Sequence, residues 1–279
     1  MRNKAHLLDI QINKIEYKLI RGSMTDSKKK YKIVKYSNGV SKEIDDDVVT
    51  EYSLRVVLNG KPFVTLLCTP HSLKELVIGF LFSEGIIGSF DDIKSIEVDE
   101  SNGKAYVEVA NEDVFSYAGE YLLAHKTITT GCGKNRTIAF NVMSLANKIE
   151  NGIALDPAKI LKLVNEFSKS SELFISTGGV HSCALCSYDE ILYFEEDIGR
   201  HNAMDKLSGS VLVNKIYAGN KIILTTGRIS SEIITKAAKI GIPVLVSRSA
   251  PTDAAIEMAL QLNITLIGFA RGQSLNIYT

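Results

Sequence analysis

"KIILTTGRISSEIITKAAKIGIPVLVSRSAPTDAAIEMALQLNITLIGFAR", Lys221 to Arg271, alternates two textures. The short apolar runs in KIILTTGR, PVLVSRSA and ITLIGFAR read as strands. Between them, SSEIITKAAKIGI and PTDAAIEMALQLN carry the helical period. Ser230 or Ser231 stands at one helix start and Thr252 or Asp253 at the other. Strands alternating with helices indicate a parallel or mixed sheet covered on both faces. The stretch therefore predicts an α/β fold.

Upstream, GRHNAMDKLSGSVLVNK reads as another helix. LFISTGGVHSCALCSYDEILYFEED reads as a strand, a glycine turn and a hairpin. DPAKILKLVNEFSKSSE has helical spacing, with Pro157 as a first-turn residue. Nearer the start the pattern becomes β-like. YKIVKYS is followed by TEYSLRVVLNGKPFVTLLC, where Asn59-Gly60 between alternating runs signals a hairpin. SLKELVIGFLFSEGII predicts a helix opened by a capping box, Ser72 with Glu75. IKSIEVDE and AYVEVA read as strands around the turn SNGK, and the first 30 residues are polar and rich in lysine. The predicted organisation is a small α+β domain over 1–125, a junction loop over 126–140, and an α/β domain over 141–279.

Composition narrows the function classes. Lys plus Arg and Asp plus Glu each number 32 in 279 residues, so no global charge draws the chain to nucleic acid or to a membrane. Any anion site must be local. No apolar run is long enough for a transmembrane helix, and the N-terminus lacks the pattern of a secretory signal. A cytoplasmic location is the expectation. In that reducing compartment cysteines tend to be catalytic, metal-binding or buried.

Of the four cysteines, Cys68 lies in the apolar run FVTLLCTP, where a thiol packs as a small hydrophobe. Cys132 stands instead between Gly131 and Gly133, with Lys126, Lys134 and Arg136 nearby. Neighbouring cations favour the nucleophilic thiolate. His181, Cys183 and Cys186 in HSCALC suggest a metal site, but residues three apart on a regular strand face opposite sides. Packing is the better reading of Cys183 and Cys186, and no permanently bound metal is expected.

Ligands of open α/β sheets bind beyond the carboxyl ends of the strands. Three predicted ends carry groups suited to phosphate: Gly178 and Gly179 with His181, Gly227 with Arg228, and Arg248. EEDIGRHNAMDK adds Arg200 and His201. His201 and Asp205, four apart on a helix, are placed as a general-base pair might be, while Asp197 and its neighbours suit an N-terminal cap. Neither GxxxxGK[ST] nor GxGxxG is present.

STGGVHSCAL, EDIGRHNAMDKL, TTGRISSEIITKAAKIGIPVLVSRSAPTDAAIEMA and LIGFARGQSLNIYT together closely resemble the FdhD family of formate dehydrogenase accessory sulfurtransferases. The resemblance covers nearly all of the second region and, more loosely, EYSLRVVLNGKPFVTLLCTPHSLKELVIGFLFSEGII in the first. It implies a cytidine-deaminase-like three-layer mixed sheet with a smaller N-terminal domain. It implies transfer of persulfide sulfur, on Cys132, from a cysteine desulfurase to the molybdenum (or tungsten) of a bis(molybdopterin guanine dinucleotide) cofactor. That cofactor is a bound substrate and formate dehydrogenase its destination. A homodimer is also expected. By the same resemblance Phe269, Ala270, Arg271, Gly272, Gln273 and Ser274 help hold the guanine dinucleotide part. Many members carry Cys-Gly-x-Cys-Gly on the loop, whereas GCGKNR has Asn135 where the second cysteine would stand. A cofactor-binding chaperone is the alternative. A zinc hydrolase on the deaminase-like fold lacks the H-x-E and P-C-x-x-C signature.

Overall fold

The computed structural model describes residues 26–110, 149 and 154–279. The predicted junction, 126–140, and the boundaries on either side of it lie outside the described residues.

Lys28–Ser37 (β1) and Val40–Val49 (β2) form a two-stranded antiparallel hairpin. The next sheet has four strands: Tyr52–Leu58 (β3), Lys61–Cys68 (β4), Ile93–Asp99 (β5) and Lys104–Val109 (β6), in the order β4-β3-β6-β5. Asn59 and Gly60 turn β3 into β4 with φ of 45° and 72°, as the hairpin signal required. Helix α1, Leu73–Ser83, packs against this sheet, and its apolar residues are buried all round. A helix apolar on every side must be covered on every side. The second cover is α4, Arg200–Val213. The two helices meet at reciprocal glycines: a Cβ on Gly79 would lie 1.8 Å from the Asp205 carbonyl oxygen, and one on Gly209 2.0 Å from that of Glu75. Backbone therefore touches backbone, and the N-terminal sheet is fastened to the second half of the chain.

The capping box expected at Ser72 does not form. Ser72 adopts a left-handed conformation (φ 48°) and makes no cap bond; its hydroxyl serves Glu195 instead. A tertiary partner outcompeted the local one.

The second half is built on a six-stranded mixed sheet, ordered β12-β11-β10-β9-β7-β8. Its strands are His181–Cys186 (β7), Ile191–Asp197 (β8), Ile222–Thr225 (β9), Val244–Ser247 (β10), Thr265–Arg271 (β11) and Ser274–Ile277 (β12). β9, β10 and β11 run parallel, while β7 opposes β9 and β12 opposes β11. Ile223, Leu245 and Leu266 face α4 and the helices α5, Ser231–Ile240, and α6, Asp253–Leu262. Ile222, Leu224, Val244 and Ile267 face helix α2, Pro157–Phe167, on the other side. The result is the expected three-layer mixed α/β architecture. Pro157 occupies the first turn of α2, and the Asp156 side chain caps it by accepting from the Ala158 N–H.

Two strand assignments are corrected. LFIS is not a strand but part of a short helix α3, Glu172–Thr177. The Ser171 hydroxyl accepts from the Phe174 N–H at its start, and Gly178 ends it with φ 66°. A short apolar run between a capping serine and a left-handed glycine closes as a helix more readily than as an unpaired strand. ITLIGFAR is also not the last strand, because the chain turns at Gly272 and returns as β12.

Candidate functional site

The antiparallel setting of β7 brings its first residue to the edge where the parallel strands end. Cys183 pairs with Thr225 and His181 with Asp197, so His181 lies beside the ends of β8 and β9. Gly178 and Gly179 therefore reach that edge from a helix C-terminus, not from the end of a strand as expected. A cleft of about 420 Å³ opens there. It is lined by five anticipated residues, Gly178, Gly179, His181, Arg248 and Arg271, and by three others, Phe174, Val180 and Thr226.

The remaining anticipated groups cluster around this edge. Gly227 follows β9, and a Cβ there would lie 2.9 Å from Arg200 Cβ, so the arginine stem crosses a strand end that only glycine leaves open. Arg200 Nε is buried and has no hydrogen-bond partner among the described residues. Burial, and next the charge of Arg228, lower the Arg200 pKa. His181 is also pulled below the ordinary histidine range, first by burial and then by Arg200 and His201, so it is neutral at pH 7. Arg228 itself is exposed. Among the described residues, Arg200, Arg228, Arg248 and Arg271 make no ion pair with a carboxylate. Guanidiniums gathered without a direct ion pair, with Glu232 acting on Arg200 only from beyond ion-pair distance, suit a phosphate-bearing ligand.

The terminal hairpin contributes unevenly. Arg271 faces the cleft and its guanidinium lies 5.8 Å from the ring centroid of Phe269, which holds φ 51° and is partly exposed. Gly272, Gln273 and Ser274 form an exposed turn, whereas the side chain of Ala270 is fully buried under the sheet.

The proposed general-base pair is not one. His201 Nε2 lies 2.8 Å from a Glu232 carboxylate oxygen, though not aligned to it as a donor, and this contact holds the Glu232 carboxyl below its usual range. Asp205 points into the body of the protein, where it takes Lys236 Nζ at 2.6 Å and the Ser83 hydroxyl at 2.6 Å. A partner supplied by α5 and another by α1 separated two residues that one helix face had placed together. Asp197 does serve the helix start, though not from the N-cap position, which belongs to Gly199: it accepts from the Gly199 N–H while wholly buried opposite Lys206. No spacing rule finds Glu232, which lies in another element; Thr226 was visible as the second threonine of TTGR.

The three described cysteines are packed, as expected. Cys183 and Cys186 lie in the cores on opposite faces of the sheet, and burial pushes each thiol up to about 12. Cys68 is buried likewise, also at about 12. None of these three is a nucleophile at neutral pH. Cys132, with Lys126, Lys134 and Arg136, lies outside the described residues. No helix among the described residues is long and apolar enough to cross a membrane.

The profile of the FdhD/NarQ family matches residues 49–279. The chain is 46% identical over 249 residues to the sulfur carrier protein FdhD of Bacillus licheniformis, covering 89% of this chain and 94% of the relative. It is 44% identical over 246 residues to that of Bacillus subtilis, covering 88% and 93%. A crystal structure from Desulfotalea psychrophila, described as a formate dehydrogenase accessory protein, superposes with a TM-score of 0.74 at 27% identity, over 91% of this chain and 97% of the other.

Proposed function

The chain belongs to the FdhD/NarQ family, and on that premise we propose that it is a sulfur carrier serving formate dehydrogenase. Cys132 carries the sulfur. Its thiolate attacks the outer sulfur of a persulfide on a cysteine desulfurase, the donor cysteine leaves as thiolate, and a persulfide remains on Cys132. The acceptor is molybdenum in the bis(molybdopterin guanine dinucleotide) cofactor, a bound substrate that the protein holds while its sulfur is delivered. The reading makes the protein a cytoplasmic sulfurtransferase and a homodimer.

One observation carries the cofactor part of this reading: among the described residues, four arginines without a carboxylate ion pair surround one cleft edge, and Arg200 Nε is buried with no hydrogen-bond partner. A buried donor left unmade costs free energy, and a phosphate oxygen is the acceptor it lacks. Arg248 and Arg271 line the cleft beside Gly178 and Gly179, and Arg200 and Arg228 flank it through His181. A neutral His181 donates or accepts a hydrogen bond without adding charge. Lys126, Lys134 and Arg136 keep Cys132 ionised and draw the same phosphates.

Two variants separate carrying sulfur from holding cofactor. With Cys132→Ser, persulfide formation disappears, read by mass spectrometry after incubation with a desulfurase and cysteine, while guanosine diphosphate still binds by isothermal titration. With Arg271→Ala the nucleotide binds more weakly and Cys132 still gains the mass of one sulfur atom. Sulfur found on Cys183 or Cys186 overturns the assignment. Normal formate dehydrogenase maturation by Cys132→Ser makes the protein a cofactor chaperone instead.

A further inference from the structure

The first turn of α4 carries Arg200 and His201 to the cleft edge, yet its N-cap residue, Gly199, has no side chain to hold it. What holds it is a buried charge two residues earlier. Asp197 and Lys206 are both 0% exposed, with Nζ and Oδ2 2.8 Å apart. Asp197 Oδ1 accepts from the Gly199 N–H and from Asn202 Nδ2, each at 2.9 Å, which grips the turn from below. Asp197 Oδ2 accepts from the Thr69 N–H at 2.9 Å and lies 3.1 Å from the Thr69 hydroxyl. Lys206 Nζ donates to that hydroxyl at 2.7 Å and to the Glu196 carbonyl at 3.1 Å. Asn202 Nδ2 reaches on to the Leu67 carbonyl at 2.7 Å.

These bonds join three elements that are distant in sequence: the end of β4, the end of β8 and the start of α4. They also satisfy both buried charges, which is what allows such a pair to persist in the interior. The Arg200 stem is confined on its other side by Gly227. The turn is thus held against the N-terminal sheet while its arginine leans over the end of β9.

We propose that Thr69, Asp197 and Lys206 are positioning residues for the cleft: they set the first turn of α4 against the end of β4, and thereby place the Arg200 guanidinium for a ligand phosphate. The N-terminal sheet then shapes an anion site to which it contributes no ligand. This inference rests on the reading of the cleft as a phosphate cradle, and the test separates the two.

Guanosine diphosphate is titrated into the full chain carrying Thr69→Val or Thr69→Ser, each alone and combined with Arg200→Ala, with urea unfolding followed in parallel. Thr69→Val keeps the shape but removes the hydroxyl. It weakens binding about tenfold, the size of one charge-assisted contact, whereas Thr69→Ser restores affinity. In the Arg200→Ala background Thr69→Val has no further effect on binding, because it acts through an arginine no longer present. A merely structural role gives the same loss in both backgrounds and overturns the proposal, as does unchanged affinity in Thr69→Val. Should Thr69→Val not fold, Asn202→Ala cuts the parallel tie to Leu67 and is read in the same way. A wild-type protein that does not bind the nucleotide overturns the cradle reading itself, and the positioning role with it.

Discussion

The buried junction beneath α4 and the open edge above it carry similar groups and treat them in opposite ways. In the junction every buried charge has a partner: Asp197 with Lys206, and Asp205 with Lys236 and Ser83. At the cleft edge, none of Arg200, Arg228, Arg248 and Arg271 has a carboxylate partner among the described residues. Within the interior, an unpaired charge costs more than the fold can bear, so pairing there is a condition of folding. On the edge, water and a missing ligand can bear that cost. Unpaired cations held in place by paired ones are how this chain, on the proposed reading, would keep an anion site open without losing its structure.

The comparison is broken most easily at Lys206. Lys206→Met leaves Asp197 buried without its cation, and removing one partner of such a pair costs about 3–5 kcal/mol. Urea unfolding should show a loss of that size; a loss near zero would make the junction no different from the edge.

A smaller effect follows from His71, which packs near the same pair and bonds to the Glu196 backbone. Burial, and then Lys206, pull its pKa down to about 4 from 6.5. A histidine lowered on folding binds protons in the unfolded state first. Its contribution is therefore intact above pH 6.5 and is lost as the pH falls from there toward 4. The expected loss is about 3 kcal/mol across that window. Carboxyls titrate in the same range, so the measurement is the difference between unfolding curves of wild type and His71→Gln at several pH values. Parallel curves would show that His71 is protonated in the fold.

The smallest effects belong to the edge, and they appear in affinity. Arg248→Ala and Arg271→Ala should each weaken guanosine diphosphate by about 1.5–3 kcal/mol, or roughly ten- to a hundredfold. The unfolding midpoint should stay where it is, because neither arginine pairs with a carboxylate among the described residues. Loss of stability without loss of binding would reverse the two roles.

Much of the architecture was legible because it is locally coded. Asn59-Gly60 turned where a positive φ was needed twice, Pro157 opened its helix, and Thr252 capped α6 by accepting from the Ala255 N–H. Cys183 and Cys186 parted because odd spacing on a strand sends side chains to opposite faces. LFIS was misread because four apolar residues fit either period, and the deciding signals were Ser171 and Gly178 at its ends. Ser72 and His201 were misread for another reason: each found a better partner, Glu195 or Glu232, on an element packed against it.

What the sequence determined alone was the alternation of strands and helices from Arg200 to Arg271, the family, and a set of arginines and glycines recurring at turns. Those features depend on neighbours within a few residues, where backbone preference and side-chain period act. Which turns share an edge was decided only by the tertiary structure. It reversed β7 so that His181 meets Thr226, Arg248 and Arg271 around one cleft, and it set Thr69, which follows β4, against Asp197 at the end of β8. Contacts between residues more than a hundred positions apart are selected by the packing of whole elements, and no local pattern encodes them.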